Sequence, residues 1–166
     1  MPTVQDFLRE LDNETPTTRR ALERVPKDKL DWAPHERSLT MGQLALHIAN
    51  IPGVLSEIAM KPSFDVSFVV PRPTPASVEQ VLTTLNESVA KAKAVIGSMD
   101  DAALAMPWKM VNGNLEIASM PRSDFLRSVL FNHWYHHRGQ LTVYLRETGA
   151  KVPSIYGASA DETPGG

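Results

Sequence analysis

Apolar residues recur three and four positions apart through four long stretches of this chain, and proline-rich segments separate them. Such a pattern buries its hydrophobic surface by packing helix on helix. In the first stretch, from about Val4 to Arg24, the series is Val4, Phe7, Leu8, Leu11, Ala21, Leu22 and Val25, with charges between. Pro16 predicts a kink or a restart after Thr15, because proline lacks an N–H and clashes with the carbonyl one turn back. The next segment ends in Thr40-Met41-Gly42-Gln43, a Thr-x-x-Gln capping box that opens the second helix. There Leu44, His47, Ile48, Ile51 and Leu55 form the inward stripe, and Pro52 predicts a bend one turn beyond His47. Ser77-Val78-Glu79-Gln80 resembles a second capping box. It opens a third helix to about Ser98, with Val78, Val81, Leu82, Leu85, Val89, Ala92 and Ile96 inward. Asp100 to Leu104 adds a short turn. The fourth helix runs from near Pro121 to Thr148, where Gly149 supplies the stop. Its expected stripe is Leu126, Leu130, His133, His137, Leu141 and Tyr144.

The connections carry their own signals. Lys61 to Pro75 contains four prolines and a Phe-Asp-Val-Ser-Phe-Val-Val run, and reads as a long irregular connection of the kind that is functional or draped over a surface. Trp108 to Met120 alternates on either side of Asn112-Gly113, which predicts a hairpin with a type I′ turn. The tail from Lys151 cannot be helical through its prolines and glycines, and is expected to wrap back as a strap before fraying. The fold class is therefore all-α: a four-helix bundle with one long crossover and a small β-hairpin excursion before the last helix. At 166 residues, 42% of them hydrophobic, the chain supports one good core, so one domain over residues 1–166 is expected.

Composition removes several functions. Lys and Arg total 17 against 19 Asp and Glu, scattered without a basic stripe, so no nucleic-acid partner is expected. With no cysteine, disulfides, thiolate ligands and a cysteine nucleophile are excluded, and any thiol chemistry uses a thiol from outside. The N-terminus lacks a signal peptide's apolar region and no stretch approaches the ~20 apolar residues of a membrane span. A soluble, cytoplasmic protein without a membrane partner is expected.

The chemistry concentrates in histidines. His133 and His137 lie four residues apart, so their imidazoles share one helical face and can point at a common centre. His47 joins them from another helix. Taken alone, His47 reads more readily as a hydrogen-bonded core residue. The pair alters the balance, because two imidazoles buried one turn apart both need partners at ~1–3 kcal/mol each, and one divalent ion satisfies both. His47, His133 and His137 are thus the candidate metal ligands of an open site. His136, at i+3 from His133, could replace His137, but it points about 100° away, toward Asn132 and Gln140, and is assigned to support or surface. His35 is read as structural. Trp134 and Tyr135 are read as packing or an interface, since no basic groove accompanies them. Imidazoles suit zinc, nickel, copper and iron; nickel or zinc is expected.

These residues also carry a family resemblance. Leu30 to Ser38 (Leu-Asp-Trp-Ala-Pro-His-Glu-Arg-Ser), Gly-Gln-Leu-Ala-Leu-His ending at His47, His-x-x-His-His-Arg-Gly-Gln (His133 to Gln140) and Val-Pro-Ser-Ile-Tyr-Gly (Val152 to Gly157) resemble the DinB-like superfamily over essentially the whole chain. The resemblance implies an up-down-down-up bundle, commonly a homodimer, with a divalent metal on a histidine triad that maps onto His47, His133 and His137. The aromatics beside the site helix also point to a homodimer. Relatives of this type include transferases and isomerases that use mycothiol, bacillithiol or glutathione. The expected partners are therefore a small-molecule thiol and an electrophilic substrate. The alternative enzyme is a metal-dependent hydrolase, in which the ion lowers the pKa of water toward ~7; no Glu or Asp occupies a motif position that identifies its base. A third reading is a non-catalytic, metal-stabilised binding protein. The fourth coordination position discriminates: a side chain there makes the site structural, and an open position permits catalysis.

Overall fold

The computed structural model describes residues 2–67 and 71–163. The end of the apolar run in the long connection, 68–70, and the expected frayed end, 164–166, lie outside the described residues. The fold is mostly helical, with a small three-stranded sheet.

Helix α1 spans Val4–Glu23. Thr3 and Asp6 cap it reciprocally: the Thr3 hydroxyl accepts from the Asp6 N–H (3.2 Å) and the Asp6 carboxylate accepts from the Thr3 N–H (2.9 Å). The restart expected after Thr15 does not occur. Phe7 and Leu11 on one side of Pro16, and Thr18, Ala21 and Leu22 on the other, are all buried. Their burial outweighs the ~3 kcal/mol that an interior proline costs. Helix α2, Met41–Met60, starts at the expected capping box, with Gln43 N–H on the Thr40 hydroxyl (3.2 Å) and Thr40 N–H on the Gln43 amide oxygen (3.0 Å).

Two prolines leave carbonyls of α2 without their usual partners, and two tryptophans take them. Pro52 has no N–H for the Ile48 carbonyl, which accepts instead from Trp134 Nε1 at 3.0 Å. Pro62 likewise cannot serve Ile58, whose carbonyl accepts from Trp108 Nε1 at 3.2 Å beside the closing Lys61 N–H at 3.1 Å. Both indoles are fully buried. Past Pro52, the Gly53 N–H turns to the Ser88 hydroxyl (2.8 Å), which in turn donates to the Asn50 carbonyl (3.2 Å), so the disturbed turn of α2 is stitched to α3.

Helix α3, Val78–Gly97, is capped by Ser77, whose hydroxyl accepts from the Gln80 N–H at 3.2 Å. Only this half of the anticipated box forms; the Gln80 side chain accepts from the Ala76 N–H instead. The short α4, Asp101–Ala105, follows Asp100 as its cap.

The hairpin is present as β2, Pro107–Asn112, and β3, Leu115–Pro121, with two corrections. Asn112 pairs with Leu115, so the two-residue loop is Gly113-Asn114. Gly113 has φ +57° and no other residue type is positive among the described residues. This is the pattern of a Gly-X hairpin loop, not of a type I′ Asn-Gly turn. The sheet also gains a strand from the long connection: β1, Ser63–Asp65, runs parallel to β2 with Phe64 opposite Met110. The Asp65 carboxylate accepts from the Gly113 N–H (3.1 Å) and the Ser67 N–H (2.9 Å), which holds the crossover against the hairpin.

The last long helix is not uniform. Helix α5, Arg122–Phe125, passes through a π-helical stretch, Leu126–Phe131, into α6, Asn132–Glu147. The buried series is Leu126, Leu130, Trp134, Arg138, Leu141 and Leu145, which corrects the expected stripe. Three successive steps of four exceed 3.6 residues per turn, and the wider π turn absorbs the excess. His133 and His137 therefore flank the core line, and Tyr144 is only half-buried, its hydroxyl donating to the Leu39 carbonyl at 3.3 Å. Trp134 is buried, and the half-buried Tyr135 gives its hydroxyl to Glu10. Neither is an exposed aromatic face, so that argument for an interface falls away.

The tail does wrap back. Val152, Pro153 and Ser154 are buried, and the Ser154 carbonyl accepts from Arg20 (2.7 Å). Beneath it Arg138, 1% exposed, pairs with Glu14 at 2.7 Å, donates to the Thr18 hydroxyl (3.0 Å) and to Tyr156, and lies 5.1 Å from the ring centres of Tyr135 and Tyr156. Removing Glu14 leaves a buried guanidinium without its counter-charge. Glu14→Ala is expected to destabilise the protein by about 2–3 kcal/mol, below the full penalty because the hydroxyl partners remain; urea denaturation checks this.

Candidate metal centre

Helix α2 presents His47, and α6 presents His133 and His137. The structure brings all three together: one ring nitrogen from each lies within 4.8 Å of the others. The Nε2 atoms of His47 and His133 are 3.1 Å apart. Ring centres are 4.4 Å apart for His133 and His137, 4.6 Å for His47 and His137, and 5.3 Å for His47 and His133, with every pair near perpendicular. Such edge-on rings aim lone pairs inward from different directions, as a small ion requires. Among the described residues no fourth His, Asp or Glu joins the cluster.

The electrostatics suit cation ligands. His47 and His133 are pushed down from 6.5 to about 4, first by burial and then by neighbouring imidazoles, and His137 is lowered by burial against the opposing pull of Gln140. All three are therefore neutral at pH 7 with lone pairs free. Gln140 fixes one tautomer, because its amide oxygen sits 2.6 Å from His137 Nδ1 and accepts that N–H, leaving Nε2 bare. This is the oriented support that metal-bound histidines usually have. Sequence reasoning did not single out Gln140, although its i+3 spacing from His137 put it on a neighbouring part of the helix face. The residues present fit a divalent ion.

The lowered values set a pH dependence. A histidine whose folded value lies below its unfolded value binds fewer protons in the native state, so its full stability is present above the unfolded value and is lost on acidification. Ion-free protein should lose stability as the pH falls from about 6.5 to about 4. Urea midpoints measured across that range with chelator test the direction; a flat profile would contradict it.

The other candidates separate from the cluster. His136 is exposed, on the outside of α6, with its ring centre 4.9 Å from that of His137. His35 is exposed in the linker, and its Nδ1 accepts from the Arg37 N–H at 3.1 Å, a turn-forming structural role. Tyr135 is held by Glu10 and pushed up by burial, then by that bond, so it stays a neutral phenol.

A cleft of about 490 Å³ opens beside His47 and His133. Leu46, Ile51, Val54, Leu55, Ile58 and Phe64 form its apolar walls, Gln43 and Asn50 contribute amides, and Pro71, Arg72 and Pro73 form a rim. Described residues of the long crossover thus border the site, as a connection of that length often does. Its placement depends on Gly42, where a Cβ would lie 2.9 Å from Pro75 and 3.0 Å from the Leu30 carbonyl. Only glycine lets linker and crossover close on the first turn of α2.

A helical bundle that gathers three neutral histidines at the mouth of an apolar cleft defines a class of candidate metalloprotein. The model of the DinB family matches residues 1–164, and the chain belongs to that family. It is 26% identical over 164 residues to the uncharacterized protein YrdA of Bacillus subtilis, covering 96% of this chain and 92% of that one. Among solved structures, a DinB-like protein from Bacillus cereus is similar with a TM-score of 0.75 and 26% identity, over 93% of this chain and 98% of that chain. The DinB-like protein YjoA of Bacillus subtilis shares the fold, with a TM-score of 0.67 and 18% identity over 90% and 96% of the two chains. Among the described residues, no helix is long and apolar enough to cross a membrane.

Proposed function

We propose that His47, His133 and His137 hold one divalent ion, nickel or zinc, at an open site, and that the protein is a transferase activating a low-molecular-weight thiol of the mycothiol, bacillithiol or glutathione type. The observation that carries this reading is the converging, neutral triad, joined by no fourth His, Asp or Glu among the described residues and set at the edge of an apolar cleft. A bound divalent cation lowers the pKa of a coordinating thiol from ~8.5, so that thiolate exists at neutral pH. The chain's own part is to keep three imidazoles deprotonated by burial, to orient His137 through Gln140, and to offer apolar walls that exclude water from an electrophile. The absence of cysteine fits a thiol supplied from outside. Hydrolysis ranks second because no carboxylate lines the cleft among the described residues.

The same reading takes the chain as one domain with its four long helices running up-down-down-up, which the long crossover between α2 and α3 supports. It also includes a cytoplasmic homodimer, for which family membership is the support; light scattering at high micromolar concentration checks assembly, and a monomer counts against it. The reaction is tested by metal analysis of protein prepared without an affinity tag, followed by a screen of several thiols with an electrophilic acceptor. Thiol-dependent and ion-dependent loss of the acceptor is expected. Equal rates with chelated protein would overturn the proposal.

A further inference from the structure

Arg72 is the one cationic side chain, histidines apart, on the cleft lining among the described residues, and no acidic residue accompanies it. No carboxylate among the described residues forms an ion pair with it. Its backbone is nonetheless held. Prolines on both sides stiffen the backbone, and its carbonyl accepts from Gln43 Nε2 at 2.9 Å. The same Gln43 side chain caps α2 through its oxygen, so one amide ties the rim to the first turn of the helix that carries His47. Arg72 lines the same cleft as His47 and His133, and its charge adds, after burial, to what holds all three imidazoles down. A cation unpaired among the described residues leaves an excess of positive potential over apolar walls, and an anion with an apolar body relieves it.

We propose that the cleft takes an amphipathic monoanion, an alkyl or aryl chain ending in a carboxylate, with the chain against Leu46, Ile51, Leu55, Ile58 and Phe64 and the carboxylate on Arg72. This names the class of the electrophilic substrate and rests on the reading of the cleft as the acceptor site. The guanidinium fork matches a carboxylate with two parallel hydrogen bonds. In the ion-free protein Arg72, with only the neutral amides of Gln43 and Asn50 beside it, balances a monoanion and undercompensates a phosphate dianion. The volume, about 490 Å³, falls in the ~300–1,000 Å³ range of small-molecule sites.

The test is calorimetric titration of the full chain, stripped of ions, with octanoate, its neutral analogue octanamide, and octyl phosphate. Because no ion is present, the outcome does not depend on the metal reading, which titration of nickel or zinc into the same sample tests separately. Octanoate is expected to bind more tightly than octanamide. Arg72→Gln should weaken octanoate about tenfold, the scale of one charge-assisted contact at a partly open site, and leave octanamide unchanged. Arg72→Lys should retain part of the preference. Arg72 is exposed, so these variants should fold. Equal binding of octanoate and octanamide, equal loss of both in Arg72→Gln, tighter binding of octyl phosphate, or no heat with any probe would each overturn the proposal.

Discussion

His137→Ala is expected to weaken divalent-ion binding by at least about a hundredfold while the protein stays folded. Loss of a residue that merely supports a metal ligand costs ~10–100-fold, and His137 is proposed as a ligand itself. Removing one of three donors also leaves the His47 and His133 nitrogens, 3.1 Å apart, as a two-donor site. Stability should survive because the core lies elsewhere. Phe7, Leu11, Leu22, Leu44, Ile48, Ile51, Val81, Leu85 and Leu141 are buried without reference to the triad, at ~25 cal/mol per Å² of apolar area. Were the ion structural, its binding energy would be folding energy. Chelation of the wild type would then lower the melting temperature sharply, and His137→Ala would do the same without chelator. Thermal melts with and without chelator, beside calorimetric ion titration, separate these outcomes.

The triad was legible because it obeys local rules. An i, i+4 histidine pair shares a face whatever the rest of the helix does, and His47 falls on the apolar stripe of α2. What the periodic argument misread was the phase of the last helix. The stretch from Leu126 to Phe131 has no proline or glycine to announce a π turn. The turn moves the core line onto Trp134 and Arg138 and sets the two histidines beside it, where they meet His47. Strand β1 was hidden for a different reason: three residues paired in parallel with a strand more than forty positions away carry no local signature. Asn112-Gly113 marked the hairpin correctly but not its register, which pairs Asn112 with Leu115 and leaves the positive φ to Gly113 alone. Arg72 lacked a periodic context altogether, since its place depends on the Gln43 amide and the close approach at Gly42. Arg138, inside the histidine motif, reads as one more surface charge until the tail closes over it.

Replacement of Trp134 should produce the largest loss of stability. The side chain is fully buried, and Trp134→Ala is expected to cost ~3–5 kcal/mol as a cavity substitution, a fall of roughly 10 °C in melting temperature for a chain of this size. Trp134→Phe is the more informative change. It keeps an aromatic ring but removes the N–H that serves the Ile48 carbonyl at 3.0 Å, and a buried carbonyl left unpaired costs ~1–3 kcal/mol. That cost arises only because Pro52 cannot supply the usual helical donor. In Pro52→Ala the N–H of residue 52 returns, so Trp134→Phe in that background should cost less than in the wild type, with a coupling of ~0.5–3 kcal/mol between the two positions. Urea denaturation of the four proteins in this cycle measures the coupling. Additive losses would mean that the indole stabilises α2 by packing alone, and that the Ile48 carbonyl finds another partner once the indole is gone.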